Sequence, residues 1–258
     1  MGICVITGAS SGIGREFFRQ LAAGPEQYEA FWVVARRESA LRALQSLTPT
    51  PVRALPLDLS RPEAWDAYAA ALDEAGADVR LLVHCAGYGK FEAAEALGPA
   101  ENLAMVDLDV RATVAVDLRT LPHMTAGARI INIASVAALQ PVPWVNTYAA
   151  SKAFVLSFSR SLNRELRSRG IHVLAVCPFW TKTAFFDRAV DASAAPVVKY
   201  YAAMYDPADI VRRALRDSAR RRRDTSFYGF VARGQALLVK LLPTRWVLDI
   251  WQAQQKLR

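Results

Sequence analysis

Tyr148 and Lys152 stand four residues apart in Tyr-Ala-Ala-Ser-Lys, thirteen residues after Ser135, which closes the apolar run Ile-Ile-Asn-Ile-Ala. On a helix, positions i and i+4 share a face, so the phenol and the ammonium project to the same side. A phenol with its ordinary pKa of about 10 is a poor proton carrier near neutrality. A neighbouring ammonium favours the phenolate and draws that pKa down towards a useful range. A serine hydroxyl at the end of a neighbouring strand can donate to a carbonyl oxygen as that oxygen gains charge. The same Tyr/Lys spacing also occurs on ordinary solvated helices, so the elements around it must decide.

The first of those elements is at the N-terminus. Gly2-Ile-Cys-Val-Ile-Thr7 is a short apolar run with β-branched members, followed at once by Gly8-Ala-Ser10-Ser11-Gly12-Ile13-Gly14. Phe17, Phe18 and Leu21 then recur at helical spacing. Strand, glycine-rich turn and helix in this order form a phosphate cradle. The glycines let the backbone approach a pyrophosphate, and the helix start offers unpaired N–H groups.

Strand-like and helix-like segments alternate along the rest of the chain, which predicts an α/β fold: one doubly wound, Rossmann-type domain with a parallel sheet of about seven strands. Expected strands are Cys4–Thr7, Phe31–Ala35, Arg53–Pro56, Leu81–His84, Arg129–Ile133 and His172–Val176, with Tyr228–Phe230 as a seventh. Expected helices are Gly14–Ala23, Glu38–Leu47, Pro62–Ala75, Glu101–Leu121 and Val145–Arg169. Ser60 is the expected N-cap of the third, and Gly170 the stop of the fifth. The length of 258 residues and 53% apolar content suit one such domain.

With these motifs in this order, the chain resembles the short-chain dehydrogenases/reductases. Their cofactor turn is Thr-Gly-x-x-x-Gly-x-Gly and their catalytic set is Ser plus Tyr-x-x-x-Lys. The match runs from residue 1 to about Thr183. The resemblance implies that Tyr148 is the general acid in reduction and the general base in oxidation. It implies that Lys152 tunes Tyr148 and holds the nicotinamide ribose, and that Ser135 orients the substrate oxygen. Gly8, Ser10, Ser11, Gly12, Ile13 and Gly14 would hold the pyrophosphate, and Asp58 and Leu59 would flank the adenine. His84, Ala86 and Gly87 would lie at the next turn under the cofactor, with His84 as a packing and adenosine-side residue, not a catalyst. Pro178 would reach over its nicotinamide, and Thr181 and Thr183 would contact its carboxamide and pyrophosphate. The chemistry is direct hydride transfer, which requires no metal.

Cofactor choice follows from the end of the second strand, where a dinucleotide fold meets the adenosine ribose. Arg36 and Arg37 stand there, with no acid until Glu38. Guanidiniums attract a 2′-phosphate, so NADP(H) is expected.

The chain departs from the family pattern in three places. His84-Cys85 replaces the usual Asn-Asn. Asp109 aligns with an asparagine that helps hold a proton-relay water near the lysine; it either stabilises the Lys152 ammonium or substitutes mildly for a largely backbone role. Phe179-Trp180 follows Pro178 where the family has glycine. With Phe185 and Phe186 these rings form either an apolar substrate wall or simple core packing. The resemblance implies a substrate lid over residues 184–204.

Residues 231–258 form a C-terminal helical extension. Ala236–Leu242 is an apolar stretch before Pro243, and Trp246, Ile250, Ala253 and Leu257 recur on one helical face. Packing within the chain or within a homo-oligomer is the expected role. The alternatives are a cover for the substrate cleft and a peripheral membrane contact, for which the basic run Arg220–Arg223 would help. The net charge of +8 comes without any nucleic-acid reader motif, so no nucleic-acid partner is expected. Cys4, Cys85 and Cys177 lack metal-ligand spacing and fit buried thiols in a reducing compartment. With a strand beginning at residue 2 and no long apolar span, a cytoplasmic location is expected.

The function expected is an NADP(H)-dependent oxidoreductase interconverting a ketone or aldehyde with an alcohol on a small-molecule, bulky apolar substrate. A reductase of an acyl-chain ketone is the alternative among enzymes. A cofactor-binding interaction protein without turnover is the alternative of another class.

Overall fold

The computed structural model describes residues 1–189 and 197–256, apart from the side chain of Arg188. Seven parallel strands form one sheet: β1 (Ile3–Thr7), β2 (Phe31–Val34), β3 (Val52–Leu55), β4 (Val79–His84), β5 (Arg129–Ile133), β6 (His172–Val176) and β7 (Thr225–Ser226). Their order is β3-β2-β1-β4-β5-β6-β7. Every residue of β1 and β6 is buried, because helices cover both faces of the sheet. That double burial is why these strands read as continuous apolar runs rather than alternations.

The helices are α1 (Gly12–Ala22), α2 (Glu38–Arg42), α3 (Pro62–Glu74), α4 (Ala94–Val106), α5 (Ala112–Thr120), α6 (Asn146–Glu165), α7 (Phe185–Ala189), α8 (Pro207–Arg220), α9 (Phe230–Leu241) and α10 (Thr244–Gln255). Phe17 and Phe18 of α1 and Ile210 and Val211 of α8 pack with Ile6, Val33 and Leu174 on one face. Trp65 and Tyr68 of α3, Val116 of α5 and Leu162 of α6 cover Val5, Leu82 and Val173 on the other. Burying each large apolar side chain contributes about 1.5–3 kcal/mol, so the two layers fix the sheet between them. β1 lies between β2 and β4, where the chain reverses its direction of travel across the sheet. A crevice opens beyond the carboxyl ends of the strands at such a switch point.

Several boundaries differ from those expected. The seventh strand is Thr225–Ser226, not Tyr228–Phe230. Gly229 takes φ +88°, where a Cβ would come within 2.3 Å of the Tyr205 ring, and the chain turns there into α9. The helix expected at Glu101–Leu121 starts earlier, at Ala94, kinks at Gly98-Pro99, and passes through a wider π-type turn at Asp107–Arg111 before α5. Ser60 does not cap α3: its Oγ donates to Asp58 Oδ1 at 2.8 Å, and Arg61 holds the cap position. Glu38–Leu47 is α2 followed by a tighter 3₁₀ turn from Ala43. Gly170, at φ +67°, ends the segment after α6 as expected. Residues 190–196 of the expected lid, and Leu257 of the expected apolar face, lie outside the described residues.

Candidate active site

The crevice is a cavity of about 710 Å³ that reaches from the β1–α1 turn to α9 and α10. Two glycines of the β1–α1 turn are sterically required. A Cβ on Gly8, at φ +65°, would meet the Ala86 nitrogen at 2.8 Å, and one on Gly14 would meet the Gly8 oxygen at 2.4 Å. Ser11 holds the α1 cap position without a side-chain bond to the helix. The first-turn N–H groups of α1 are therefore not closed off by that side chain. Ser10, Ser11, Gly12 and Ile13 border the cavity, as do Asp58, Leu59, Ala86, Gly87, Pro178, Thr181 and Thr183. Arg36 and Arg37 border it too and are solvent-exposed; Arg37 Nη2 donates to Ser10 Oγ at 3.4 Å. Asp58 Oδ1 accepts from the Ser60 backbone, which fixes its carboxylate.

His84 packs as expected but does not reach the cofactor crevice. Its side chain is buried in the core and does not border the cavity; Cys85 does. Strand alternation puts His84 on the same face as Leu82, beside Asn132 of β5. Burial pushes its pKa down to about 3, helped by the nearby Lys152 charge, so the ring is neutral.

Ser135, Tyr148 and Lys152 line the same cavity. β5 delivers Ser135, whose Oγ accepts from the Ala137 N–H at 3.1 Å and so caps the short turn that follows. The first two turns of α6 deliver Tyr148 and Lys152. Lys152 is buried and donates from Nζ to the Ile133 carbonyl at 3.1 Å. Its Nζ also lies 3.8 Å from Oδ1 of the fully buried Asp109. The π-type turn supplies Asp109, and one extra residue per turn is a frequent device for aiming a side chain into a site. Asp109 Oδ1 accepts from the Tyr88 N–H at 3.0 Å. Gly87 permits the whole arrangement, since a Cβ there would come within 2.6 Å of Asp109 Oδ1 and 3.0 Å of Lys152 Nζ.

The Tyr148 pKa is raised, not lowered as expected. Burial pushes the phenol up, the Asp109 charge adds to that, and a hydrogen bond with Ser135 pulls it partly back. Lys152 Nζ is 5.6 Å from the ring centroid and engaged with Ile133 and Asp109, so its field does not dominate.

The other part of the cavity is aromatic. Phe91, Trp180, Phe185 and Phe186 pack mutually, with Phe91 at 5.7 Å from Trp180 and 6.0 Å from Phe185. Tyr148 joins them, 5.6 Å from Phe185. Phe179 borders the cavity between Trp180, at 6.0 Å, and Tyr205, at 6.2 Å. Phe91 is not among the expected wall residues, because a lone loop aromatic carries no periodic signal.

The C-terminal helices complete this wall. Trp251 is buried, packs in the aromatic cluster and donates from Nε1 to the Pro143 carbonyl at 3.1 Å. Gln255 is buried and accepts from the Lys199 and Tyr200 N–H groups at 2.9 Å each, tying α10 to the segment after α7. The buried face of α10 is therefore Val247, Trp251 and Gln255, whereas Trp246, Ile250 and Ala253 are exposed. The i, i+4, i+8 spacing of the first three is the available signal, hidden because the glutamine breaks the apolar pattern.

Comparison with known proteins places the chain. The short chain dehydrogenase family profile matches residues 2–194. Over 192 residues the chain is 35% identical to a sulfoacetaldehyde reductase of Chromohalobacter salexigens, covering 70% of this chain and 74% of that one. It superposes on a short-chain dehydrogenase from Sphingobium yanoikuyae in complex with NADPH at a TM-score of 0.76 and 28% identity, covering 93% and 94% of the two chains. A short-chain dehydrogenase from Streptomyces avermitilis gives a TM-score of 0.79 at 26% identity over 99% and 97%. With the glycine turn and the Ser/Tyr/Lys set on one cavity, these matches make the chain a member of the short-chain dehydrogenase family.

Proposed function

We propose that the protein interconverts a carbonyl and an alcohol using NADP(H), on a bulky, uncharged, apolar substrate. The observation that carries this reading is a single cavity bordered by the glycine turn, by Ser135, Tyr148 and Lys152, and by the aromatic cluster. The residues present fit the cofactor. Gly8 and Gly14 leave room that any Cβ would fill. Arg36 and Arg37 would pair with the 2′-phosphate, Asp58 and Leu59 would flank the adenine, and Thr181 and Thr183 would border the nicotinamide end. The NADPH found in the Sphingobium yanoikuyae relative supports the same assignment.

When bound, the nicotinamide supplies or accepts the hydride. In reduction, Tyr148 Oη would give its proton to the carbonyl oxygen while Ser135 Oγ donates to that oxygen. Burial, which raises the Tyr148 pKa, keeps the proton in place until the substrate oxygen takes it. Lys152, held by Ile133 and Asp109, would bind the nicotinamide ribose and steady the phenolate left behind. Phe185 and Phe186 would face the substrate, and Gln255 would hold Lys199 and Tyr200 against α10 beside it.

Sulfoacetaldehyde, for which the Chromohalobacter salexigens relative is named, carries a sulfonate. Among the described cavity residues the cations are Arg36, Arg37 and Lys152, all assigned to the cofactor. Among the described residues the aromatic part offers that sulfonate no cation, which favours an uncharged substrate. A panel of sulfonated, aryl and acyl-chain carbonyls, read by NADPH consumption, tests this. Turnover should be fastest on bulky uncharged ketones or aldehydes. A preference for the sulfonate, or NADPH binding without turnover of any carbonyl, would overturn it.

A further inference from the structure

We propose that α9 and α10 seat the protein on an anionic phospholipid surface, with the mouth of the cavity turned towards the lipid. This rests on the apolar-substrate reading for its purpose, though not for its test. On α9, Phe230, Leu237 and Leu241 recur at i, i+7 and i+11 and are 91%, 59% and 71% exposed. That spacing makes one stripe. Helical geometry sets exposed Arg233 and Lys240 along one side of the stripe, and Val231 and Leu238, which border the cavity, along the other. On α10, Trp246 and Ile250 are 52% and 57% exposed, with Val247 and Trp251 turned to the cavity.

Apolar residues of both helices therefore lead from the exposed face to the cavity. Leu238 and Ile250 belong to both surfaces, being exposed and also cavity-lining. Exposed apolar residues grouped in this way mark an interaction surface. The charge selects the occupant. Residues 230–256 carry Arg233, Lys240, Arg245 and Lys256 against Asp249 alone, four minus one, a net of +3. Cations beside the apolar stripe of α9, with an exposed tryptophan on α10, match an interfacial helix pair lying on anionic headgroups. A second copy docked on this face would bring two such positive surfaces together and close the mouth. No helix among the described residues is long and apolar enough to cross a membrane, so the contact is a seat and not a span.

The test is flotation of the full-length protein with vesicles of phosphatidylcholine alone and of phosphatidylcholine mixed with phosphatidylglycerol. Binding to the mixed vesicles should exceed that to phosphatidylcholine and weaken as salt is raised. The variant F230S/L241S/W246S should lose vesicle binding by about tenfold or more. None of its three positions borders the cavity, so its solution mass and turnover of a small water-soluble carbonyl should match the parent. R233Q/K240Q/R245Q should lose the preference for anionic lipid while keeping the fold. Absence of vesicle binding by the parent, or equal binding by F230S/L241S/W246S, would overturn the proposal. So would a smaller solution mass for that variant, which would make the face an interface between copies. None of these results depends on which carbonyl is reduced, so they leave the catalytic reading to stand or fall separately.

Discussion

Lys152 Nζ lies 3.8 Å from Asp109 Oδ1, and both side chains are buried. The Asp109 charge raises the Tyr148 pKa, on top of the larger effect of burial. Asp109→Asn removes that charge while keeping an oxygen that can accept from the Tyr88 N–H. The Tyr148 pKa should fall, and alcohol oxidation, which needs the phenolate as base, should reach its plateau at lower pH. The rise of kcat against pH for parent and variant checks this. Superimposable profiles would mean that Asp109 serves only through its shape and backbone.

Tyr148→Phe removes the transferable proton and leaves the aromatic packing against Phe185. Turnover should fall by about 10²–10⁴-fold, the usual contribution of a positioned acid or base. NADPH affinity, read by fluorescence titration, should change little. Near-parental turnover would remove Tyr148 from the chemistry.

Arg36→Gln with Arg37→Gln should weaken NADPH binding and leave NADH binding nearly unchanged. Removing a charge-assisted hydrogen bond to a phosphate costs about 1.5–3 kcal/mol for each guanidinium. Both guanidiniums are exposed at the end of β2, so the change should not disturb folding. Parent protein that binds NADH more tightly than NADPH would contradict the assignment.

Much of this site is legible in the sequence because its parts are local. The glycine turn and the Tyr/Lys pair each lie within one turn or helix, and β5 ends just before Ser135. Sheet strands buried on both faces announce themselves as apolar runs, and six of the seven fall where expected within two residues. What stays hidden depends on chain segments meeting across the fold. Phe91 joins the aromatic wall only because its loop folds over Tyr148, at 6.4 Å between rings. His84 looks like a cofactor neighbour from its place in the motif, but strand alternation turns it into the core. The tail misleads for a related reason: its most apolar stripe is the exposed one, and its packed face includes Gln255.

Trp251 offers a test of the tail as part of the substrate wall. Trp251→Phe keeps a ring in the cluster and loses the bond to the Pro143 carbonyl, a net cost of about 1 kcal/mol in stability. Trp251→Ala also opens the wall, at a cost of up to about 3–5 kcal/mol. KM for bulky apolar carbonyls should rise more in the alanine variant than in the phenylalanine one, with KM for small carbonyls little changed. Equal effects on large and small substrates would make Trp251 a purely structural residue.

Asp117 provides a prediction about stability that is independent of the chemistry. It sits on α5, buried, with Oδ2 accepting from Asn132 Nδ2 at 2.6 Å, and Asn132 Nδ2 also donates to Ser159 Oγ at 3.0 Å. Burial pushes its pKa up to about 7, with the Asn132 bond opposing. Between the ordinary carboxylate range and pH 7 the folded chain therefore holds a proton that the unfolded chain has lost. Stability from this group is full at low pH and declines as pH rises through that window, after which the penalty is constant. Asp117→Asn retains an oxygen for Asn132 and cannot ionise. Its stability relative to the parent should improve between pH 4 and about pH 7, by on the order of 1–4 kcal/mol, and then level off. Urea unfolding of both proteins across that range reads the difference directly. A difference independent of pH would mean that Asp117 ionises in the fold as easily as in water, through polar contacts that offset its burial.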